Sequence, residues 1–280
     1  YLLKFAFGYN GSERFSEKYR WGFFPSIGLA WNVSNEAFFS SLKPTVSNFK
    51  LRFTKGVLGN DEILNTRFFY LSDVDLNTSG YGYTFGLPAE SGRYSVNGVV
   101  VNRYANPAIS WEVSRQTNFG VDIGLFKGAL TFTGDYYYQT RDNIVQQRSL
   151  SSINGLTASV FANVGEYSSK GFDGELVYNK TVNKSLWFQG RGTFTFATGK
   201  YEFYEEPKYA NSYRNRVGTS ASQVFGYIAE RLFIDNKEVY NSPSQELGSV
   251  VLGGDIKYLD VNRDGVINDD DRMPIGYPTT

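Results

Sequence analysis

The sequence contains no cysteine and no histidine, and these two absences exclude several classes of chemistry. Serine–histidine and cysteine–histidine catalysis are impossible, and no disulfide can support the fold. The 28 basic and 28 acidic residues balance each other, so the composition gives no sign of a nucleic-acid partner. The lack of cysteine also fits a compartment in which free thiols are avoided.

The sequence also lacks an apolar run of about 18 residues, so it predicts no membrane-spanning helix. It is nevertheless rich in aromatic residues, with 21 Tyr and 23 Phe, and it combines 29 Gly with only 8 Pro. This composition is typical of a membrane β-barrel, in which every second strand residue faces lipid. A soluble β-sandwich or β-propeller alternates in the same way, and composition alone does not separate the two classes.

Alternation of apolar and polar residues predicts an all-β, antiparallel fold with about seven strands. The clearest strand covers residues 112 to 126, and after a tight turn at Lys127-Gly128 the pattern resumes from Leu130. The other alternating segments cover residues 3–9, 23–33, 49–57, 172–178 and 186–196. The connections after residues 33, 126 and 181 are short or moderate, whereas those after residues 10, 58, 140 and 198 are mostly long and polar. This asymmetry predicts an outer-membrane barrel with short periplasmic turns and long extracellular loops.

About seven strands cannot close a bacterial barrel, which needs at least about eight and prefers an even number. We therefore expect residues 1–280 to be an internal piece of one longer barrel domain, with the missing strands outside it. Aromatic residues gather near the predicted strand ends and resemble the two girdles of a membrane barrel. They are Tyr9, Phe23, Trp111, Tyr136 and Tyr138 at the outer ends, and Trp31 and Tyr178 at the inner ends.

One segment, residues 260–271, has the spacing of a calcium-binding loop. Such a loop takes side-chain oxygens from positions 1, 3 and 5, a backbone carbonyl from position 7 and a carboxylate from position 12. Position 6 is glycine and position 8 is apolar, as Gly265 and Ile267 are here. The candidate metal ligands are Asp260, Asn262, Asp264, Val266 through its carbonyl, Asn268 at position 9, and Asp271.

The departure from the EF-hand pattern is Asp271, because the EF-hand has Glu at position 12 and the shorter side chain reaches less far. The segment from Asp260 to Asn268 resembles dockerin loops, which carry this form. We expect a structural Ca²⁺ with an extracellular-type affinity of about 10⁻⁴–10⁻³ M. The alternative is an Asx-rich turn that needs no metal. Asp269 and Asp270 could be considered as an acid–base pair, but solvated charges beside a metal loop are the simpler interpretation.

Several fragments together resemble the C-terminal barrel portion of SusC/RagA-type TonB-linked outer-membrane proteins of Bacteroidetes. The fragments occur in order along nearly the whole chain. They are Gly11-Ser12-Glu13-Arg14-Phe15, Trp21-Gly22-Phe23-Phe24-Pro25-Ser26, Asn106-Pro107, Trp111-Glu112, Gln116-Thr117-Asn118-Phe119-Gly120, Asp135-Tyr136-Tyr137, Asn163-Val164-Gly165, Lys170-Gly171-Phe172, Phe225-Gly226-Tyr227, Gly254-Asp255-Ile256-Lys257-Tyr258 and Asp271-Arg272.

The resemblance implies a 22-stranded barrel with an N-terminal plug, driven by TonB, which would contact a part of the protein outside this chain. It also implies a SusD-like surface lipoprotein as partner, an oligosaccharide or peptide as cargo, and outer-membrane lipid around the wall. Residues 254–272 would form an extracellular calcium-like loop within the barrel domain. No substrate-binding residue of the family can be carried over to this sequence.

Three functions compete at this stage, and all assign the chain no catalytic residue. The first is an energised nutrient importer, and the second is a passive porin or siderophore receptor with the same fold. The third is a soluble extracellular calcium-binding carbohydrate-binding or scaffold module. Tyr and Phe residues in the connection from about 59 to 110 could stack on sugars or bury against a partner, and loop packing is the alternative. They are Tyr70, Tyr81, Tyr83, Phe85, Tyr94 and Tyr104.

Overall fold

The computed structural model describes residues 1–63, 67–86, 94–156, 158–183 and 185–276. The chain divides into two compact units, Tyr1–Glu205 and Glu206–Thr280. Within the described ranges, no helix is both long and apolar enough to span a membrane.

The first unit is built on one antiparallel sheet whose strands follow the alternation of the sequence. The long strands of the unit are β1 (Leu2–Gly11), β2 (Trp21–Asn32), β3 (Val46–Asn60), β4 (Asp73–Phe85), β5 (Tyr94–Arg103), β6 (Glu112–Leu125), β7 (Leu130–Gln147), β8 (Phe161–Asn183) and β9 (Leu186–Phe203). Seven of them form the sheet, in the order β1-β2-β3-β6-β7-β8-β9. Each of these seven overlaps one of the seven predicted segments, and β2 and β6 end one residue before the segments that predicted them. A short turn at Phe126–Gly128 joins β6 to β7, as predicted, and its three residues all have positive φ.

The sheet has one apolar face and one polar face, because side chains alternate between the faces along each strand. A cross-strand row that we call the apolar row runs through all seven strands on one face. It consists of Leu3, Leu29, Phe53, Phe119, Tyr136, Phe172 and Phe196. All of these side chains are exposed except half-buried Phe53. An exposed apolar surface of this extent marks a face that contacts another apolar phase.

Most of the strands are longer than the alternating segments that predicted them. β8 has 23 residues, although clear alternation is confined to residues 172–178. A tilted strand needs only about 9–11 residues to cross a bilayer. Most of the additional residues of β8, 161–171, lie on the side of the long connections, where small and polar residues such as Gly165 and Ser168 replace the apolar ones. Pairing with β7 and β9, rather than hydrophobicity, keeps them extended.

The best-buried part of the first unit is a cluster at the end of the sheet that carries the long connections. Phe15, Phe69, Ile109 and Trp111 form its core. The Trp111 ring lies 5.3 Å from that of Phe15, and its Nε1 donates to the carbonyl of Arg20 at 3.1 Å. Trp111 is therefore buried. The sequence had suggested that it belongs to an exposed aromatic girdle, and this prediction was wrong. Its place at a strand end was correct, but the preceding loops cover it.

Beside this cluster, two asparagines form hydrogen bonds between the segment that precedes β6 and the start of β8. Both belong to the sequence fragments that resemble SusC/RagA-type proteins. Asn106 Nδ2 donates to the carbonyl of Phe161 at 2.7 Å. Asn163 Oδ1 accepts from the amide of Ser110 at 2.9 Å, and its Nδ2 donates to the carbonyl of Ser110 at 2.8 Å. These bonds provide partners for half-buried backbone groups of Phe161 and Ser110.

The connection from 59 to 110 is more ordered than the sequence predicted. β4 and β5 pair as an antiparallel hairpin separate from the main sheet, with several register shifts. Of the aromatic residues singled out there, Tyr81, Tyr83, Phe85 and Tyr94 lie on the hairpin and are exposed. Alternation was a weak signal here because exposed apolar residues occur on both faces.

The second unit consists of short paired segments. They are β10 (Val224–Gly226), β11 (Ala229–Leu232), α1 (Asn236–Tyr240), β12 (Ser244–Gln245), β13 (Ile256–Tyr258), β14 (Val266–Ile267) and β15 (Met273–Gly276). β10 pairs with β15 and β11 with β13, both antiparallel, whereas β12 and β14 pair in parallel. Ile267 and Phe233 are its buried apolar side chains among the described residues.

Candidate functional site

The calcium-like loop begins after β13 and ends in a 3₁₀ turn at Asp269–Asp271. Its backbone has the sharp bend that the pattern predicts. Gly265, at position 6, has φ +88°, a conformation that glycine adopts without strain. Arg263 is also left-handed, with φ +61°. Immediately after the bend, β14 pairs with β12 and buries Ile267, which anchors the loop to the second unit.

The acidic and amide side chains in the first half of the loop turn inward and accept hydrogen bonds from its backbone. Asp260 Oδ1 accepts from the amide of Arg263 at 2.6 Å, and its Oδ2 accepts from that of Gly265 at 2.9 Å. Asn262 Oδ1 accepts from the amide of Asp264 at 2.9 Å. Asp264 Oδ1 accepts from Val266 N at 2.8 Å. The oxygens at positions 1, 3 and 5 are thus held on the inner side of the loop.

Asp271, at position 12, closes the loop. Its side chain is fully buried, at 0% exposure, and it bridges the two ends of the segment. Oδ1 accepts from Val261 N at 2.8 Å, and Oδ2 accepts from Asn268 N at 3.0 Å. Asn268 in turn caps the 3₁₀ turn through a 2.7 Å bond from Asp270 N to its Oδ1. A buried carboxylate is stable here because backbone N–H groups compensate its charge.

Two tyrosines outside the loop hold the acidic turn. Tyr213 donates its hydroxyl to the carbonyl of Asp270 at 2.7 Å, and Tyr227 donates to Asp269 Oδ1 at 3.3 Å. Burial raises the pKa of both phenols, and the nearby carboxylates of Asp271 and Asp269, respectively, raise it further. Both hydroxyls therefore stay protonated and act as donors. Arg214 forms an ion pair with Asp270, which is thereby a structural group rather than a free base.

The loop combines the types of donor that the calcium pattern uses with a backbone that has the turn of that pattern. Over the described part of the chain, no three Asp or Glu side chains converge as a ready metal cluster. In the calcium pattern, however, carboxylates share the ion with an amide oxygen and a backbone carbonyl. A carboxylate or amide oxygen has two lone pairs, so an oxygen that accepts one N–H can still coordinate a cation.

Polar side chains on the other face of the main sheet include an ion cluster that sequence reasoning missed. Arg52 in β3 donates through Nε to both oxygens of Asp122 in β6 at 3.1 Å. Its Nη1 and Nη2 reach Asp135 in β7 at 2.9 and 2.8 Å. Gly120 stands between them, and a Cβ there would lie 2.6 Å from the guanidinium. The sequence does place a charged residue on the polar face of each of the three strands. It does not show that the three charges lie side by side, because this depends on the register between the strands.

A family model described as "TonB dependent receptor-like, beta-barrel" matches residues 4–269. The chain belongs to this family. Among curated proteins, it is 27% identical over its whole length to "TonB-dependent receptor P3" of Formosa agariphila. It is 26% identical over 97% of its length to "TonB-dependent receptor SusC" of Bacteroides thetaiotaomicron. These alignments confirm the SusC/RagA-type resemblance.

A solved structure with the same fold is the RagAB peptide importer in its "closed-closed" state, with a TM-score of 0.66 and 22% identity. That match covers 98% of this chain and 28% of the solved chain. The chain likewise spans about 28% of the curated Formosa agariphila relative and 26% of SusC. Family membership gives the all-β barrel fold, and it concerns receptors and transporters rather than enzymes.

Proposed function

We propose that the chain forms part of the wall of an outer-membrane, TonB-dependent nutrient importer, with the long connections outside the cell. The observation that carries the proposal is the seven-stranded sheet, which is apolar and exposed on one face and polar on the other. Lipid would cover the apolar face, and the polar face would line the interior of the barrel. Family membership supports the same placement.

The open edges of the sheet support the proposal that the barrel is larger than this chain. β1 and β9 are the edge strands, each with one partner in the described part of the chain. Exposed apolar edges promote aggregation, and barrels abolish them by closure. Seven strands would be about a third of a 22-stranded transporter barrel. This fraction is close to the 28% of the Formosa agariphila relative that the chain spans.

For the cargo we propose an oligosaccharide or a peptide, captured together with a SusD-like surface lipoprotein. Similarity to SusC and to the RagAB peptide importer supports this choice over a siderophore. TonB would act on a part of the importer outside this chain. A soluble extracellular module is disfavoured by the continuous exposed apolar face, which water would not solvate well.

We also propose that residues 260–271 bind a structural Ca²⁺ that fixes an extracellular loop. The donor spacing, the left-handed Gly265 and the inward-facing oxygens of Asp260, Asn262 and Asp264 support it. The ion would neutralise acidic side chains that crowd one short loop. It would have no catalytic role, and we propose no enzymatic activity for the chain.

Transport by the full-length protein in its host tests the proposed function. We expect deletion of the gene to abolish uptake of labelled oligosaccharide or peptide, and complementation to restore it. Because TonB uses the proton-motive force, an uncoupler should abolish the restored uptake. Deletion of an adjacent lipoprotein gene would test the partner separately. Uptake that resists the uncoupler would indicate a porin, and uptake of only iron chelates would indicate a siderophore receptor.

A further inference from the structure

Basic residues on the outer, apolar face of the main sheet are unevenly distributed between its two ends. Cross-strand register places five of them on this face. Four lie towards the long connections, namely Lys55, Arg115, Lys170 and Lys200, and only Lys180 lies near the opposite end. The remaining basic residues of the seven strands have the alternation phase of the polar face.

Two of these basic residues, Lys55 and Lys170, border the apolar row directly. One step nearer the long connections, a second cross-strand row begins with apolar Phe5 and Ile27 in β1 and β2. It continues through the other five strands with Lys55, Thr117, Tyr138, Lys170 and Thr198. We call these last five residues the donor row, because each carries an O–H or N–H donor and none carries a carboxylate. With about 4.8 Å between strands, Lys55 and Lys170 are roughly 14 Å apart along this row. Both side chains are exposed.

The cations of the donor row differ from those nearer the long connections in their ion-pair partners. Arg115 forms an ion pair with Asp142, and Lys200 Nζ lies 3.1 Å from Glu202 Oε2. Among the residues that the structure describes, neither Lys55 nor Lys170 has an ion-pair partner. Exposed acidic Glu166 also lies at the loop end, beyond the donor row. At the loop end of this face, the cations without an ion-pair partner are therefore the two next to the apolar row. Lys180, at the opposite end, also has none among the described residues.

We propose that the donor row binds phosphate groups of membrane lipids in the leaflet next to the long connections. This inference rests on the proposed membrane position of the sheet. Lys55 and Lys170 can lay their aliphatic stems along lipid chains while the ammonium groups reach the headgroup level. Tyr138, which is directly opposite Lys170, adds a hydroxyl donor. Continuity with the apolar row favours a lipid phosphate over a free anion, which would gain nothing from that row.

The test uses the full-length receptor, purified in neutral detergent, with bisphosphorylated lipid A as the probe. We compare Lys55→Gln/Lys170→Gln with Lys180→Gln, which makes the same change on the same face at the opposite end. A second control, Lys4→Gln, changes a lysine on the polar face. We expect the double variant to bind lipid A roughly 30-fold more weakly, and each control to bind within about twofold of wild type.

Two further arms identify the source of the phosphate. Wild-type receptor should bind dephosphorylated lipid A as weakly as the double variant does, and excess inorganic phosphate should not displace lipid A. Equal losses in the double variant and in Lys180→Gln would overturn the proposal, as would displacement by inorganic phosphate. Recovery of wild-type protein in outer-membrane fractions is measured first, because its absence would refute the membrane position itself. Recovery there without any effect of the double variant would refute only the lipid-phosphate site.

Discussion

At the scale of single residues, Asp271 determines whether the acidic loop keeps its shape. Replacement by Asn preserves the size of the side chain but turns one acceptor oxygen into a donor that faces backbone N–H groups. Loss of one such charge-assisted bond typically costs about 1.5–3 kcal/mol. We expect Asp271→Asn to weaken Ca²⁺ binding by the full-length receptor at least tenfold and to increase protease cleavage within residues 206–280. Isothermal titration with Ca²⁺ and limited proteolysis measure the two effects.

The matched control is Asp269→Asn, because the Asp269 side chain is 76% exposed and lies only two residues away. It should change both readouts little. Equal effects of the two variants would show that local negative charge, rather than the geometry of Asp271, governs the loop. No Ca²⁺ binding by wild type at millimolar concentration would favour the metal-free Asx turn instead.

Arg52 is the second residue with a defined structural role, because it neutralises two carboxylates on the polar face. The side chains of Arg52, Asp122 and Asp135 are 29%, 24% and 20% exposed, so water screens the cluster only in part. We expect Arg52→Ala to lower the free energy of unfolding by roughly 1–3 kcal/mol, because it leaves two like charges close together. Urea titration of the full-length receptor in lipid, followed by heat-dependent electrophoretic mobility, measures this change.

Arg191→Ala provides the comparison for Arg52. Its side chain is 65% exposed, and among the described residues its ion-pair partner is Glu175, an arrangement that contributes about 0–1 kcal/mol. If both alanine variants unfold at the same urea concentration as wild type, the Arg52 cluster does not stabilise the sheet.

At the scale of elements, a network around Glu238 ties α1 to the strand pair β11–β13. Arg231 donates to both carboxylate oxygens, Ile234 N donates at 2.9 Å, and Lys257 Nζ lies 3.2 Å away. The bonds from Arg231, then that from Ile234, lower the pKa of Glu238 from an ordinary 4.5 to about 2. Because the pKa of Glu238 is lower in the folded state, the network contributes its full stabilisation of α1 above pH 4.5. This stabilisation is lost as the pH falls through about 2.

Hydrogen exchange of the Ile234 amide tests this pH dependence. We expect Glu238→Gln to reduce protection of that amide at pH 7, and the difference from wild type to shrink between about pH 4.5 and pH 2. A difference that persists undiminished at pH 2 would show that the carboxylate charge is not responsible.

The two faces of a single strand give a sharper test of the sheet. Phe194 faces outward in β9, and its neighbour Thr195 faces inward, opposite Asp173. In a lipid-embedded barrel, Phe194→Arg should cost about 2–4 kcal/mol near the bilayer centre, whereas Thr195→Arg should cost much less. Folding titrations of the full-length receptor in lipid vesicles measure both. Equal costs, or a larger cost at Thr195, would mean that the apolar face does not contact lipid.

These elements also show what the sequence could and could not predict. Residues 112–139 alternate without interruption around a glycine-containing turn, so β6, β7 and their turn were predictable. The outer part of β8 was not, because its register depends on pairing with neighbours rather than on a buried face. The donor spacing of residues 260–271 was readable from sequence alone. The reach of Arg52 across Gly120 was not, since it depends on which residues of three strands lie side by side.

At the scale of the whole molecule, the two faces of the sheet account for the composition of the chain. The unusual aromatic content supplies an exposed face, and glycines and short polar residues supply the opposite one. The small core at the loop end, with Phe15 and Trp111, holds together connections that do not pair with the main sheet. The family match extends across both compact units, so the second unit, like the strands of the first, is part of the sequence that defines this family.

The most direct test of the membrane account is a spin-label accessibility scan of β8 in the full-length receptor reconstituted in lipid. A label is attached in turn to cysteines placed at residues 172 to 177, and its collision rates with oxygen and with a water-soluble nickel chelate are measured. If β8 lies in the wall of a barrel with one face towards lipid, accessibility has a period of two, with labels at 172, 174 and 176 exposed to oxygen and those at 173, 175 and 177 exposed to the chelate. Uniform exposure to the chelate at all six positions would contradict it and would identify a water-exposed sheet.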